Sequence, residues 1–129
     1  MEKDINELSS QIIGAAIEVH KLLGPGLLES AYEECLCHEL GLRGVFFERQ
    51  KPLPVIYKGK TLDCGYRLDI VVEKKILVEL KSCEKTEPIH EAQLLTYLRL
   101  TGFNLGLLLN FNVPLMRDGS TRVANRLNE

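Results

Sequence analysis

The stretch from Tyr66 to Ser82, YRLDIVVEKKILVELKS, leaves this chain the least freedom. Two apolar, β-branched runs flank Glu73-Lys74-Lys75, a polar break too short for anything but a turn between adjacent antiparallel strands. With those three residues as the loop, Val72 faces Ile76, and each pair further out has numbers that sum to 148. Asp69 then stands opposite Glu79, and Arg67 opposite Lys81. Side chains alternate along a strand, so Arg67, Asp69, Glu79 and Lys81 share one face, which Val71 and Leu77 continue. Leu68, Ile70, Val72, Ile76, Val78 and Leu80 fill the other.

Two acids directly across a ladder repel by roughly 0.2–1 kcal/mol, and by more where burial strips away their water. A divalent cation between them removes that cost, and carboxylate oxygens suit magnesium or manganese. The plainer reading is a solvated polar face on which Arg67 and Lys81 balance the acids. Val71 and Leu77 on the same face imply that another element covers part of it, which favours a site.

The rest of the chain supplies layers for this hairpin. Leu8, Ile12, Ala15, Ala16, Val19 and Leu22 recur at helical spacing from about Asn6 to Leu23, where Gly24-Pro25-Gly26 stops the helix. A second helix is expected from about Leu27 to Leu40, with Gly41 as its stop. Short strands are expected at Val45–Glu48 and Leu53–Tyr57, with Lys58-Gly59-Lys60 as a turn, giving an antiparallel meander. Pro52 and Pro54 put the early strands at an edge. A third helix opens at Thr86-Glu87-Pro88 and ends near Gly102. Phe103 to Phe111, with its run of leucines, reads as a strand buried on both faces. From Pro114 only an Asp118-Gly119 turn can be assigned. Helices, meander, helix and buried strand together make an α/β layer on one mixed sheet.

At 129 residues and 45% hydrophobic composition, a single domain spanning 1–129 is expected. No apolar run approaches the roughly 18 residues of a membrane span. The N-terminal Met-Glu-Lys-Asp-Ile-Asn is too polar to begin a signal peptide, so a cytoplasmic location is expected. Cys35, Cys37, Cys64 and Cys83 read as reduced thiols. Cys35, Cys37 and His38 point to different sides of a helix and make a poor zinc set. The net charge of −2 argues against a chain that coats nucleic acid by bulk electrostatics. It leaves room for an enzyme that meets phosphate through a metal and a few local cations.

Asp69 followed, after nine residues, by Glu79-Leu80-Lys81 resembles the motif of the PD-(D/E)XK nuclease superfamily, with Leu68 where a proline often precedes the Asp. Gly26-Leu27-Leu28-Glu29-Ser30-Ala31-Tyr32 resembles the signature of the GxxExxY family within it. Gln93-Leu94-Leu95-Thr96-Tyr97 is similar to the Q-x-x-x-Y motif of the RecB-like branch. The three follow the family order, over residues from about 10 to 111.

The resemblance implies a restriction-endonuclease-like core and a Mg2+ (or Mn2+) ion held by Asp69, Glu79 and the backbone carbonyl of Leu80, with Glu29 assisting. It implies that Lys81 orients water or neutralises developing charge, and that Gln93 and Tyr97 position catalytic groups or DNA. Tyr32 is as readily a core aromatic. His90 reads as a surface histidine rather than a metal ligand, and His20 and His38 as helix-surface residues.

The expected function is metal-dependent hydrolysis of phosphodiester bonds in nucleic acid, DNA before RNA. A domain this small could grip a duplex as a homodimer or within a larger complex. The alternative is a catalytically silent nuclease fold that binds nucleic acid or a partner protein. A hydrolase of small phosphorylated molecules is a third class.

Overall fold

The hairpin that dominates the sequence lies inside a five-stranded sheet in the computed structural model, which describes residues 4–125. The elements are α1 (Ile5–Leu23), α2 (Glu29–Leu42), β1 (Phe47–Pro52), β2 (Val55–Tyr57), β3 (Lys60–Leu62), β4 (Arg67–Val72) and β5 (Ile76–Lys81). They continue with α3 (Pro88–Thr101), β6 (Leu105–Asn110), a 3-10 turn at Met116–Gly119 and β7 (Ser120–Ala124). The sheet order is β1-β4-β5-β6-β7, with β6 parallel to β5 and the other pairs antiparallel. It is a mixed sheet flanked by helices, as the sequence predicts.

Local chemistry sets the boundaries. Asp4 caps α1 by accepting from the Asn6 N–H. The second helix starts two residues later than expected and runs through Gly41, and the reversal comes at Gly44, with φ 71°. In α3, Glu87 and His90 form a reciprocal capping box, Pro88 occupies the first turn, and Gly102 closes the helix in the left-handed region. His90 is thus a helix cap. The first strand begins at Phe47 rather than Val45 and is an edge strand. The antiparallel meander runs from β1 directly to β4, because β2 and β3 form a separate two-stranded ribbon.

Two apolar cores lie on the two faces. Helices α1 and α2 cover one, where Leu8, Ile12, Tyr32 and Leu36 meet Ile70, Val78, Leu107 and Phe111. Helix α3 covers the other, where Leu94, Tyr97 and Leu98 meet Val71, Leu77 and Leu108. Leu68, expected with Ile70, packs in this second core instead, which places a break in β4 between them. The α3 contact is close at Gly106, where an added Cβ would lie 2.9 Å from the Leu94 side chain. His20, expected at the surface, is buried, with Nε2 2.7 Å from the Val113 carbonyl. The tail, unassigned from sequence, returns as β7 along β6. No helix among the described residues is long and apolar enough to cross a membrane.

Candidate active site

The β4–β5 ladder keeps the predicted register through Val72↔Ile76, Val71↔Leu77 and Ile70↔Val78. At the next step outward the backbone pairing gives way to side chains. The Asp69 N–H donates to Glu79 Oε2 at 2.9 Å, and the Leu80 N–H donates to Asp69 Oδ2 at 2.8 Å. Each acid therefore holds the backbone of the opposite strand. On the other side of β4, the ladder pairs Arg49↔Ile70 and Lys51↔Leu68 flank Asp69. Between them Gln50 takes the left-handed region, with φ 49°, a conformation costly for a residue with a side chain. The sheet is opened at Asp69 on both edges.

Burial then acts on the acids. Glu79 is only 8% exposed, and burial, with the Asp69 charge beside it, pushes its carboxyl up to about 8. Burial also raises Asp69, opposed by the hydrogen bond from Leu80. Lys81 favours the ionised form of both acids without forming an ion pair to either among the described residues. It closes β5 half-buried, next to the strand's exit.

The Gly26-to-Tyr32 motif packs against that exit. The Tyr32 hydroxyl donates to the Gly24 carbonyl at 2.6 Å and accepts from the Leu27 N–H, while its ring stacks on Phe111 at 4.5 Å. Tyr32 is thus both core aromatic and loop clamp. The Ser82 hydroxyl donates to the Leu27 carbonyl, and the Ser82 N–H to Glu29 Oε2 at 3.3 Å. Asn110, paired with Lys81 across β5–β6, holds Cys83 from the other side through both its amide groups. Glu29 is exposed and faces the backbone just beyond Lys81. The charge of Glu29 adds to the raising of Asp69, and among the described residues no three His, Cys, Asp or Glu side chains converge enough to hold an ion by themselves. The Cys35, Cys37, His38 grouping is excluded on the same ground.

From α3, Tyr97 reaches the acids: burial raises its hydroxyl, and the charges of Glu79 and Asp69 act in the same direction. Its ring lies 6.3 Å from that of Tyr66, tilted by 58°. Gln93, one turn earlier, is exposed and makes no hydrogen bond among the described residues.

Sequence reasoning missed Glu33. It is 7% exposed, accepts from Arg49 Nε and Nη2 at 3.1 and 2.9 Å, and accepts from Gln50 Nε2 at 2.8 Å. Its charge acts on both Asp69 and Glu79. The available signal was its position four residues after Glu29, on the same helix face.

Asp69 and Glu79 fit a divalent cation. They are desolvated acids in mutual repulsion, and among the described residues Asp69 Oδ1 and Glu79 Oε1 make no hydrogen bond. Hard oxygen donors of this kind select magnesium or manganese over softer ions. Comparisons with curated proteins and with solved structures returned no significant match. A family model described as the PD-(D/E)XK nuclease superfamily matches residues 6–123, nearly the whole chain. With that span and the interlocked Asp69 and Glu79 followed by Lys81, the chain belongs to the PD-(D/E)XK nuclease superfamily.

Proposed function

We propose that this chain is a metal-dependent nuclease that hydrolyses phosphodiester bonds, with DNA as its expected substrate. The observation that carries the reading is the pair of buried, mutually repelling carboxylates at the opening of β4–β5, beside Lys81. A fold gains nothing in stability from two acids in such a place, whereas a cation-dependent reaction needs them there.

Asp69, Glu79 and the Leu80 carbonyl would hold Mg2+ or Mn2+, with Glu29 contributing from the far side of Ser82. A bound ion there supplies Lewis-acid polarisation of the phosphoryl oxygen and acidifies a nearby water. Lys81 then places a positive charge against the negative charge that develops on the phosphoryl group. Tyr97 closes the α3 side of the acids and orients substrate against them, with Gln93 beside the path to solvent. The N-terminal signature fixes the exit of β5, and so the position of Lys81, through Ser82. The proposed group is GxxExxY-type and RecB-like, a reading that these contacts support.

The test is cleavage of labelled single- and double-stranded DNA and RNA in magnesium, manganese or EDTA, with Glu79→Ala as control. Metal-dependent cutting that the variant lacks is expected. Wild-type protein that neither cuts nor binds metal would sink the proposal. That outcome would leave a binding module, for which the exposed Leu22 and Leu28, at 74% and 77%, offer an apolar contact surface.

A further inference from the structure

The β2–β3 ribbon leaves the sheet next to the acids. It is inserted between the last residue of β1 and the first of β4, Pro52 and Arg67, which are paired two residues from Asp69. The Leu53 N–H donates to the Tyr66 carbonyl and closes its base. Lys58 and Gly59 form its tip, with φ 48° and 83°, the two positive values a tight hairpin turn requires. Ile56 and Tyr57 are neighbours in a strand and point to opposite faces, yet they are 60% and 62% exposed. The ribbon therefore stands clear of the core on both sides. An isolated two-stranded ribbon is marginal in water, so this one has reason to be covered.

Its side chains indicate by what. Lys58 Nζ sits 5.4 Å above the Tyr57 ring, and Lys60 pairs with Tyr57 across the strands. From Lys51 to Arg67 the chain carries Lys51, Lys58, Lys60 and Arg67 against a single acid, Asp63, in a protein whose net charge is −2. Lys51 is engaged by Glu48 at 3.0 Å, whereas Lys58, Lys60 and Arg67 form no ion pair among the described residues. At the foot of the ribbon Tyr66, 46% exposed, leans on Tyr97, which borders the acids. Exposed aromatic rings and cations in alternation suit a strand of nucleotides. The cations meet phosphates, and the rings stack on bases, whose faces are available only where they are unpaired. An acidic protein that must hold a polyanion needs such a local device.

We infer that the β2–β3 ribbon is a substrate arm that binds single-stranded nucleic acid beside the acids, with Tyr57 and Tyr66 as stacking platforms and Lys58, Lys60 and Arg67 as phosphate contacts. This rests on the nuclease reading only for what happens to the bound strand. Duplex binding and protein docking by the same surface are outcomes of the test.

The test is fluorescence anisotropy of a labelled single-stranded oligodeoxynucleotide and of its duplex, in EDTA so that no metal-dependent cleavage intervenes. Wild-type protein, Tyr57→Ala and the pair Lys58→Asn with Lys60→Gln are compared. Lys74→Asn, at the opposite end of the sheet, controls for loss of charge alone. Single strand should bind more tightly than duplex. Tyr57→Ala and the double variant should each weaken it by about tenfold or more, and the control by less than about twofold. Thermal melting confirms folding, and Tyr57→Phe, which keeps the ring, should restore binding. No single-strand binding by wild-type protein, a duplex preference, or equal binding by the ribbon variants would overturn the inference. Cleavage in magnesium is scored separately. Ribbon-dependent binding by a protein that neither cuts nor binds metal keeps the arm and sinks the nuclease, and cutting with ribbon-independent binding does the reverse.

Discussion

The two ends of the β4–β5 hairpin are made from the same two strands and are held by opposite means. At the closed end Val71, Val72, Ile76 and Leu77 are fully buried, pair by backbone ladder, and turn through Glu73 and Lys74 in the left-handed region. At the open end, three residues away, Asp69 and Glu79 replace ladder bonds with carboxylate-to-backbone bonds, and burial makes their charge costly. Polar groups held in a buried, locally unfavourable arrangement mark function rather than stability. The closed end gives rigidity, and the open end uses it to hold together two acids that would otherwise move apart.

The contrast breaks most sharply on two substitutions in β5 that differ by two residues. Glu79→Gln is nearly isosteric, so it should leave the fold intact and reduce metal-dependent cleavage about a thousandfold or more, about 4 kcal/mol of transition-state stabilisation. Steady-state kinetics in magnesium measure it, and cleavage within tenfold of wild type would refute the assignment. Leu77→Ala, at the closed end, should lower stability by about 3 kcal/mol through a cavity between the sheet and α3. Specific activity of the folded fraction should stay unchanged. Urea unfolding measures that loss, and a comparable loss from Glu79→Gln would mean that the two ends do not differ in kind.

The pH dependence sharpens the same point. Glu79 titrates near 4.5 when unfolded and near about 8 in the fold. Between those values the folded chain holds a proton that the unfolded chain has lost. The contribution of Glu79 is thus fully present below 4.5 and is lost as pH rises through about 8. Glu79→Gln cannot ionise, so in EDTA it should match wild type near pH 4.5 and exceed its stability by roughly 1–3 kcal/mol above pH 8. Manganese should close that gap by stabilising the wild type alone. Urea midpoints at the two pH values decide it, and a variant less stable than wild type at the higher pH would contradict a strained pair.

The closed end was legible in the sequence because a period of two and a short polar turn leave only one register that buries Ile70, Val72, Ile76 and Val78 together. The open end was legible in its residues but not in its geometry. Alternation predicts Asp69 facing Glu79, yet it cannot show that the strands part there or that Gln50 turns left-handed alongside. Leu68 changed cores for that reason. For the ribbon the sequence predicts one strand and a turn, because Lys60-Thr61-Leu62 is too short and polar to signal a partner strand. The tail strand Ser120–Ala124 is similarly mild, held by its ladder to β6 and by Gly119, where any Cβ would overlap the Asn110 carbonyl. The burial of His20 is not legible locally, because its partner, Val113, lies 93 residues away.

Glu33 is the hardest case and gives the smallest of these effects. Nothing in Tyr32-Glu33-Glu34 says which acid is buried. Burial depends on Arg49 and Gln50 arriving from a strand to supply three N–H donors. Its charge nonetheless reaches the open end, where it makes both Asp69 and Glu79 harder to ionise. The same negative field that disfavours the acids alone favours a dication between them. Glu33→Gln should therefore weaken Mn2+ binding by about fivefold, about 1 kcal/mol, a readout that does not depend on turnover. Arg49 keeps Glu34 as a second partner at 3.1 Å, which limits the accompanying loss of stability. Arg49→Lys provides the comparison: it leaves the charge of Glu33 in place while disturbing its hydrogen bonds, and so should alter stability more than metal affinity. Equal Mn2+ affinity in Glu33→Gln and wild type would make Glu33 a structural acid only, and the open end would then consist of β4 and β5 alone.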